Sequence, residues 1–70
     1  MHMTTIDSSL LSALGYDPET QELRATFKKT GDTWSYSGVR SWEWTTLMDA
    51  KSVGAVFGPL IKASHAGRKI

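Results

Sequence analysis

Four large amphipathic rings lie close together in the middle of the chain, and they are the side chains best suited to bind a flat ligand. Trp34 and Tyr36 alternate along one segment, and Trp42 and Trp44 complete a stretch of eleven positions. Rings of this kind either build a hydrophobic core or stack against a base. The function therefore depends on which rings are buried and which are presented to a partner.

Positive charge collects in the last twenty of the 70 residues. Residues 1–50 hold seven acids and four bases, whereas residues 51–70 hold four bases and no acid. This distribution is typical either of a solvated helix face with a basic tail, or of a site that attracts phosphate.

Patterns that indicate catalysis or metal binding are missing from the sequence. The two histidines, His2 and His65, lie near the chain ends, where a general base is rarely held in place by packed neighbours. The chain has no cysteine and no phosphate-binding glycine loop. We therefore expect no enzyme, no metal site and no cofactor.

The elements that must position the rings read as a small α+β domain. An apolar run over residues 10–16 and two alternating segments, Leu23–Lys28 and Thr33–Val39, predict three strands. Turn residues at 17–20 and 30–32 separate these strands. The pattern predicts a three-stranded antiparallel β-meander.

Two short helices are expected after the meander. Ser41 is the predicted N-cap of the first helix, in which Trp44, Leu47 and Met48 form one stripe. Residues two apart face away from each other on a helix, so either Trp42 or Trp44 should be partly exposed. Ser52 is the predicted cap of the second helix, which should kink or restart at Pro59. Its apolar set comprises Val53, Val56, Phe57, Leu60 and Ile61.

One domain is expected over residues 9–65, with a flexible lead at 1–8 and a frayed basic tail at 66–70. No apolar run approaches the ~20 residues that span a bilayer, and no signal peptide is evident. We expect a cytoplasmic protein. Because so small a core is marginal, we also expect a homo-oligomer.

Several motifs, in this order and spacing, resemble the KTSC domain family: Leu14-Gly15-Tyr16-Asp17-Pro18-Glu19, Leu23-x-Ala25-x-Phe27, Trp34-x-Tyr36-x-Gly38-Val39 and Ala50-x-Ser52-x-Gly54. This small domain is named for its place at the C-terminus of some lysyl-tRNA synthetases, and it also occurs as a stand-alone protein in bacteria and phages. The resemblance covers residues 8–65 and implies a β-meander with two helices. It points to a nucleic acid or a nucleotide as ligand. The family's usual Tyr and Pro are replaced here by Trp34 and Arg40.

Together these observations predict a small non-catalytic module that binds a nucleotide-type, phosphate-bearing ligand. The ligand is either a short single-stranded RNA or a free nucleotide, and a phage protein could use such a site to sequester a nucleotide signal. The predicted stacking surfaces are Tyr36 and Trp42, and the predicted phosphate contacts are Arg24, Arg40, Lys51 and Lys62. The alternative is a protein-protein interaction module or structural adaptor with exposed aromatic side chains at its interface.

Overall fold

The three strands expected from the alternating segments form the centre of a larger antiparallel sheet in the computed structural model, which describes residues 2–70. Five strands follow one another in chain order across this sheet. They are β1 (Met3–Thr5), β2 (Leu11–Asp17), β3 (Glu22–Phe27), β4 (Thr33–Tyr36) and β5 (Gly67–Lys69). Two helices, α1 (Ser41–Asp49) and α2 (Val53–Phe57), connect β4 to β5, and α2 runs directly into a π-helical turn, Gly58–Lys62.

The prediction of three strands is wrong in number, because β1 and β5 lie in the segments assigned to a flexible lead and a frayed tail. Thr4 is opposite Leu14 on one edge, and Arg68 is opposite Ser35 on the other. Each edge strand has only three residues, which is too short for an alternating pattern to be recognised. Met1, the first residue of the predicted lead, lies outside the described residues.

One face of the sheet builds the core. Directly opposed strand residues share a face, so the register of Leu14, Ala25 and Trp34 places all three on the side of the helices. Buried side chains from the helical part of the chain, including Leu47, Phe57 and Ile61, pack against this face. The α+β class is therefore confirmed, and the layer of helices covers one side only.

Helix α1 begins one residue earlier than predicted. Ser41 is its first helical residue, and Arg40 takes the N-cap position. The prediction for the two tryptophans is confirmed: Trp42 is 59% exposed, whereas Trp44 stacks on Tyr16 with 5.5 Å between ring centroids.

Pro59 widens the helix rather than ending it. Proline has no N–H to donate to the carbonyl four residues back, which disfavours regular α-helix at this point. The backbone N–H of Ala63 instead donates to Gly58 at 2.9 Å, five residues earlier, as a π-helical turn requires. The chain therefore continues past Pro59 as a π-helical turn rather than as regular α-helix.

A buried polar pair ties α1 to the segment that precedes β5. The Glu43 side chain, in a residue only 5% exposed, accepts hydrogen bonds from His65 Nε2 at 2.7 Å and from the Arg40 backbone N–H at 3.1 Å. Since a carboxylate can only accept, Nε2 is the protonated ring nitrogen. Burial alone raises the pKa of Glu43, but the hydrogen bonds from His65 and Arg40 outweigh it, so the pKa lies below its usual value.

Strand β5 lies tightly against the core face at Gly67. A Cβ atom at this position would overlap the ring of Tyr36. Tyr36 is itself buried, and its ring meets Phe57 edge to face, which leaves it little room to move. The absence of a side chain at Gly67 is therefore what lets the last strand pair with β4.

Replacing Glu43 by Gln should lower the free energy of unfolding by ~1–3 kcal/mol at pH 7, because a buried charged acceptor is lost. A group with a depressed folded pKa stabilises the fold above its unfolded pKa, about 4.3 for glutamate, and this stabilisation is lost as the pH falls through the folded value. Urea unfolding at pH 7 and pH 3 should therefore show the difference between wild type and Glu43→Gln shrinking at low pH. A difference that is absent at pH 7, or equal at both pH values, would contradict this role.

Two glycine substitutions should differ in their effect on stability. Gly67→Ala should cost ~1–3 kcal/mol through overlap with the ring of Tyr36. Gly58→Ala is the matched control, since a Cβ there meets no atom within 4 Å and the backbone is helical. It should be neutral or stabilise by ~0.5–1 kcal/mol. Thermal unfolding of both variants measures this, and equal melting temperatures would show that β5 is not packed as described.

Candidate functional site

The short helices leave one end of the core face open, and a surface cavity of about 490 Å³ lies there. It sits beside the turn between β3 and β4 and next to the π-helical turn. Its volume falls in the range of small-molecule sites, roughly 300–1,000 Å³. The lining residues are Ser9, Leu10, Phe27, Lys29, Thr30, Asp32, Trp34, Tyr36 and Lys62.

Three aromatic side chains supply the apolar surface of this cavity. Phe27 on β3 and Trp34 on β4 are partly buried, while Tyr36 is 3% exposed and contributes little more than a ring edge. Phe57 fixes two of these rings from below, with its centroid 5.9 Å from Phe27 and 5.5 Å from Tyr36, both edge to face. The accessible ring surface therefore belongs to Phe27 and Trp34.

Charged side chains of both signs border the aromatic surface. Lys62 Nζ lies 6.0 Å from the centroid of the Phe27 ring, a cation–π distance, and Lys29 comes from the neighbouring turn. Asp32 lies 3.6 Å from Lys69 Nζ on β5. Since that pair is neutral as a whole, Lys29 and Lys62 leave the cavity with two uncompensated positive charges.

The turn that carries these charges has a defined backbone. Gly31 has φ of +76°, a conformation that favours glycine, and its N–H donates to the Phe27 carbonyl at 2.8 Å. The Phe27 N–H in turn donates to the Asp32 carbonyl at 2.9 Å. These bonds hold Lys29, Thr30 and Asp32 at the rim of the cavity.

Of the six residues predicted to bind ligand, the structure brings two to the cavity, Tyr36 and Lys62. Arg24 lies on the opposite face of the sheet, opposite Ser35. There its Nε donates to Glu22 at 2.9 Å, and Ser35 donates to the same carboxylate oxygen at 2.7 Å. The hydrogen bonds from Ser35 and Arg24 lower the pKa of Glu22.

The other three predicted residues lie along helix α1 and are exposed. Arg40 and Trp42 are at its start, and Lys51 follows its end. A nine-residue helix is roughly 14 Å long at ~1.5 Å per residue, so Lys51 is separated from the other two. The structure does not gather these residues around one ring.

Seven lining residues of the cavity were not predicted as ligand contacts: Ser9, Leu10, Phe27, Lys29, Thr30, Asp32 and Trp34. The alternating pattern places Phe27 and Trp34 on the apolar face of their strands, which favours a role in the core. The shortness of the two predicted helices could have indicated this cavity, because two short helices cannot cover a sheet face that carries Phe27, Trp34 and Tyr36. Nothing in the sequence pattern showed that the turn charges would lie beside these rings.

Residues 2–70 hold neither a cluster of metal-ligating side chains nor a membrane-spanning helix. No three side chains of the types that hold metal ions come together within that part of the chain. Within the same range, no helix is both long enough and apolar enough to cross a bilayer.

Comparison with known proteins places the chain among relatives of similar size. It is 35% identical over 65 residues to an uncharacterized protein of Stutzerimonas stutzeri, covering 93% of this chain and 90% of the relative. The crystal structure of a KTSC domain protein from Yersinia pestis superposes with a TM-score of 0.92 at 33% identity, covering 99% and 96% of the two chains. The sequence model of the KTSC domain matches residues 7–65. The chain therefore belongs to the KTSC domain family.

Proposed function

We propose that this protein is a non-catalytic binding module that holds a free nucleotide in the cavity beside the β3–β4 turn. The observation that carries the proposal is the combination of two accessible rings, Phe27 and Trp34, with two ammonium groups, Lys29 and Lys62, around one cavity. The base lies against the rings, and the phosphate lies between the lysines. Stacking contributes ~1–3 kcal/mol per base, and phosphate neutralisation adds a salt-dependent attraction.

A free nucleotide fits the aromatic surface better than an RNA strand does. Single-stranded RNA needs several rings along a continuous basic groove. Here Phe27 and Trp34 share one cavity, the exposed ring of Trp42 lies apart from them on α1, and the outer face of the sheet carries polar side chains such as Arg24 and Thr26. Binding of one nucleotide without turnover is sufficient for a protein that sequesters a nucleotide signal.

A non-catalytic role agrees with the position of His65. Its Nε2 donates to the Glu43 carboxylate in a buried contact, and the residue is not part of the cavity lining. A general base must be within hydrogen-bond reach of its substrate. The role assigned to His65 is therefore structural.

The alternative function, a protein-interaction module, rests on Trp42. Its indole is 59% exposed at the start of α1, and Arg40 beside it is also exposed. Aromatic and Arg side chains are enriched at protein interfaces. A second chain would be recognised there without any involvement of the cavity, so the two functions are separable by mutation.

Nucleotide binding should be detectable by calorimetry with GMP and AMP at low salt, and the affinity should fall as KCl is added. Lys62→Ala should weaken binding about tenfold, the loss expected for a charge-assisted contact. Lys51→Ala removes the same charge from an exposed position outside the cavity and should leave the affinity unchanged.

Trp34→Phe should abolish ligand-induced quenching of tryptophan fluorescence, whereas Trp42→Phe should retain it.

Two results would overturn the nucleotide proposal. One is the failure of both nucleotides to bind at millimolar concentration. The other is an equal loss of affinity in Lys51→Ala and Lys62→Ala, which would place the contacts elsewhere or make them non-specific.

A further inference from the structure

A carboxylate lies in the wall of a cavity that is otherwise suited to an anion. Asp32 lines the cavity together with Lys29 and Lys62. A site for phosphate alone gains nothing from a negative charge, which repels the ligand. A ligand that suits this cavity should therefore carry hydrogen-bond donors for Asp32 in addition to its phosphate.

The Asp32 carboxylate retains its capacity to accept hydrogen bonds. Among residues 2–70, Asp32 makes an ionic contact with Lys69 Nζ at 3.6 Å, beyond usual hydrogen-bond length, and the Lys69 side chain is 61% exposed. Such exposed pairs contribute little and are readily rearranged. An ionised carboxylate with two oxygens accepts two parallel hydrogen bonds from a planar donor pair.

Thr30 places a hydroxyl beside this carboxylate. The backbone N–H of Asp32 donates to Thr30 Oγ1 at 3.3 Å, so the hydroxyl oxygen acts as acceptor there. Its own proton is then available to a ligand, and Thr30 lines the same cavity. The turn thus presents two acceptors from Asp32 and one donor from Thr30.

The Asp32 carboxylate and the Lys62 ammonium group lie on different sides of β4. Lys62 lies over Phe27, which belongs to β3, whereas Asp32 is paired with Lys69 on β5. Because β4 runs between β3 and β5, Trp34 lies between these two positions. A ligand stacked on Trp34 can therefore direct phosphate toward Lys62 and the edge of its base toward Asp32.

We propose that this site prefers a guanine nucleotide, an inference that rests on the proposed function. The guanine edge carries two adjacent N–H donors, at N1 and N2, next to the O6 acceptor. The donors match the two oxygens of Asp32, and O6 matches the Thr30 hydroxyl. Adenine presents a ring-nitrogen acceptor at N1, which the carboxylate repels. The wrong base would leave the Asp32 carboxylate facing an acceptor instead of two donors, and a mismatch of this kind is a usual source of discrimination between ligands.

Calorimetry with GMP, IMP and AMP tests the preference, because the three share a phosphate and differ in the base edge. GMP should bind about tenfold more tightly than AMP, the discrimination expected of a good bidentate pair. IMP lacks the N2 amino group and should lie between them. Asp32→Asn should bring the GMP affinity down to that of AMP without weakening AMP. Lys51→Gln, at an exposed position outside the cavity, is the control, and it should leave all three affinities unchanged.

The outcomes separate this inference from the function on which it rests. Equal binding of GMP and AMP, tighter binding of AMP, or a GMP preference that survives in Asp32→Asn would overturn the guanine preference and leave nucleotide binding intact. Failure of all three to bind would overturn both. A thermal unfolding curve of Asp32→Asn that matches wild type shows that any loss of preference is local.

Discussion

The contact of Phe57 with the aromatic rings of the sheet is the interaction on which the site depends. Phe57 is completely buried at the end of α2 and meets both Phe27 and Tyr36 edge to face. Loss of a buried phenylalanine typically costs ~3–5 kcal/mol, a large fraction of the stability of a 70-residue domain. The same contact attaches the helices to the sheet and fixes the orientation of the Phe27 ring at the cavity. The packing of Phe57 in the core therefore also determines how the Phe27 ring is presented at the cavity.

The helical layer is too short to close the sheet, and this shortage makes the cavity. Helix α2 has five residues and the π-helical turn another five, so the covering stops before the β3–β4 turn. Pro59 keeps the chain helical in a wider form, which carries Lys62 to the edge of the uncovered region. The other edge is closed by β5, which pairs with β4 where Gly67 leaves room for Tyr36. The cavity is thus left uncovered by the helices on one side, and β5 completes the sheet beside it on the other side.

The central strands and both helices were predictable, because each has a repeating apolar pattern several residues long. The edge strands were not, since three residues with no alternation, such as Gly67–Lys69, gain their structure from a partner strand. The candidate site was predictable only in part. The rings and the positive charges are visible in the sequence, but the partner of each depends on register and on the direction of the turn. Arg24 illustrates this, because alternation placed it on the polar face but did not reveal that Glu22 and Ser35 would accompany it there.

The most direct measurement is a two-dimensional ¹H–¹⁵N NMR titration of the labelled protein with GMP. Binding in the cavity should shift the indole N–H of Trp34 and the backbone amides of residues 27–34, together with that of Lys62. The indole of Trp42 and the amide of Arg24 should remain in place. Shifts confined to the start of α1 or to the outer face of the sheet would contradict a ligand site between the aromatic rings and the lysines.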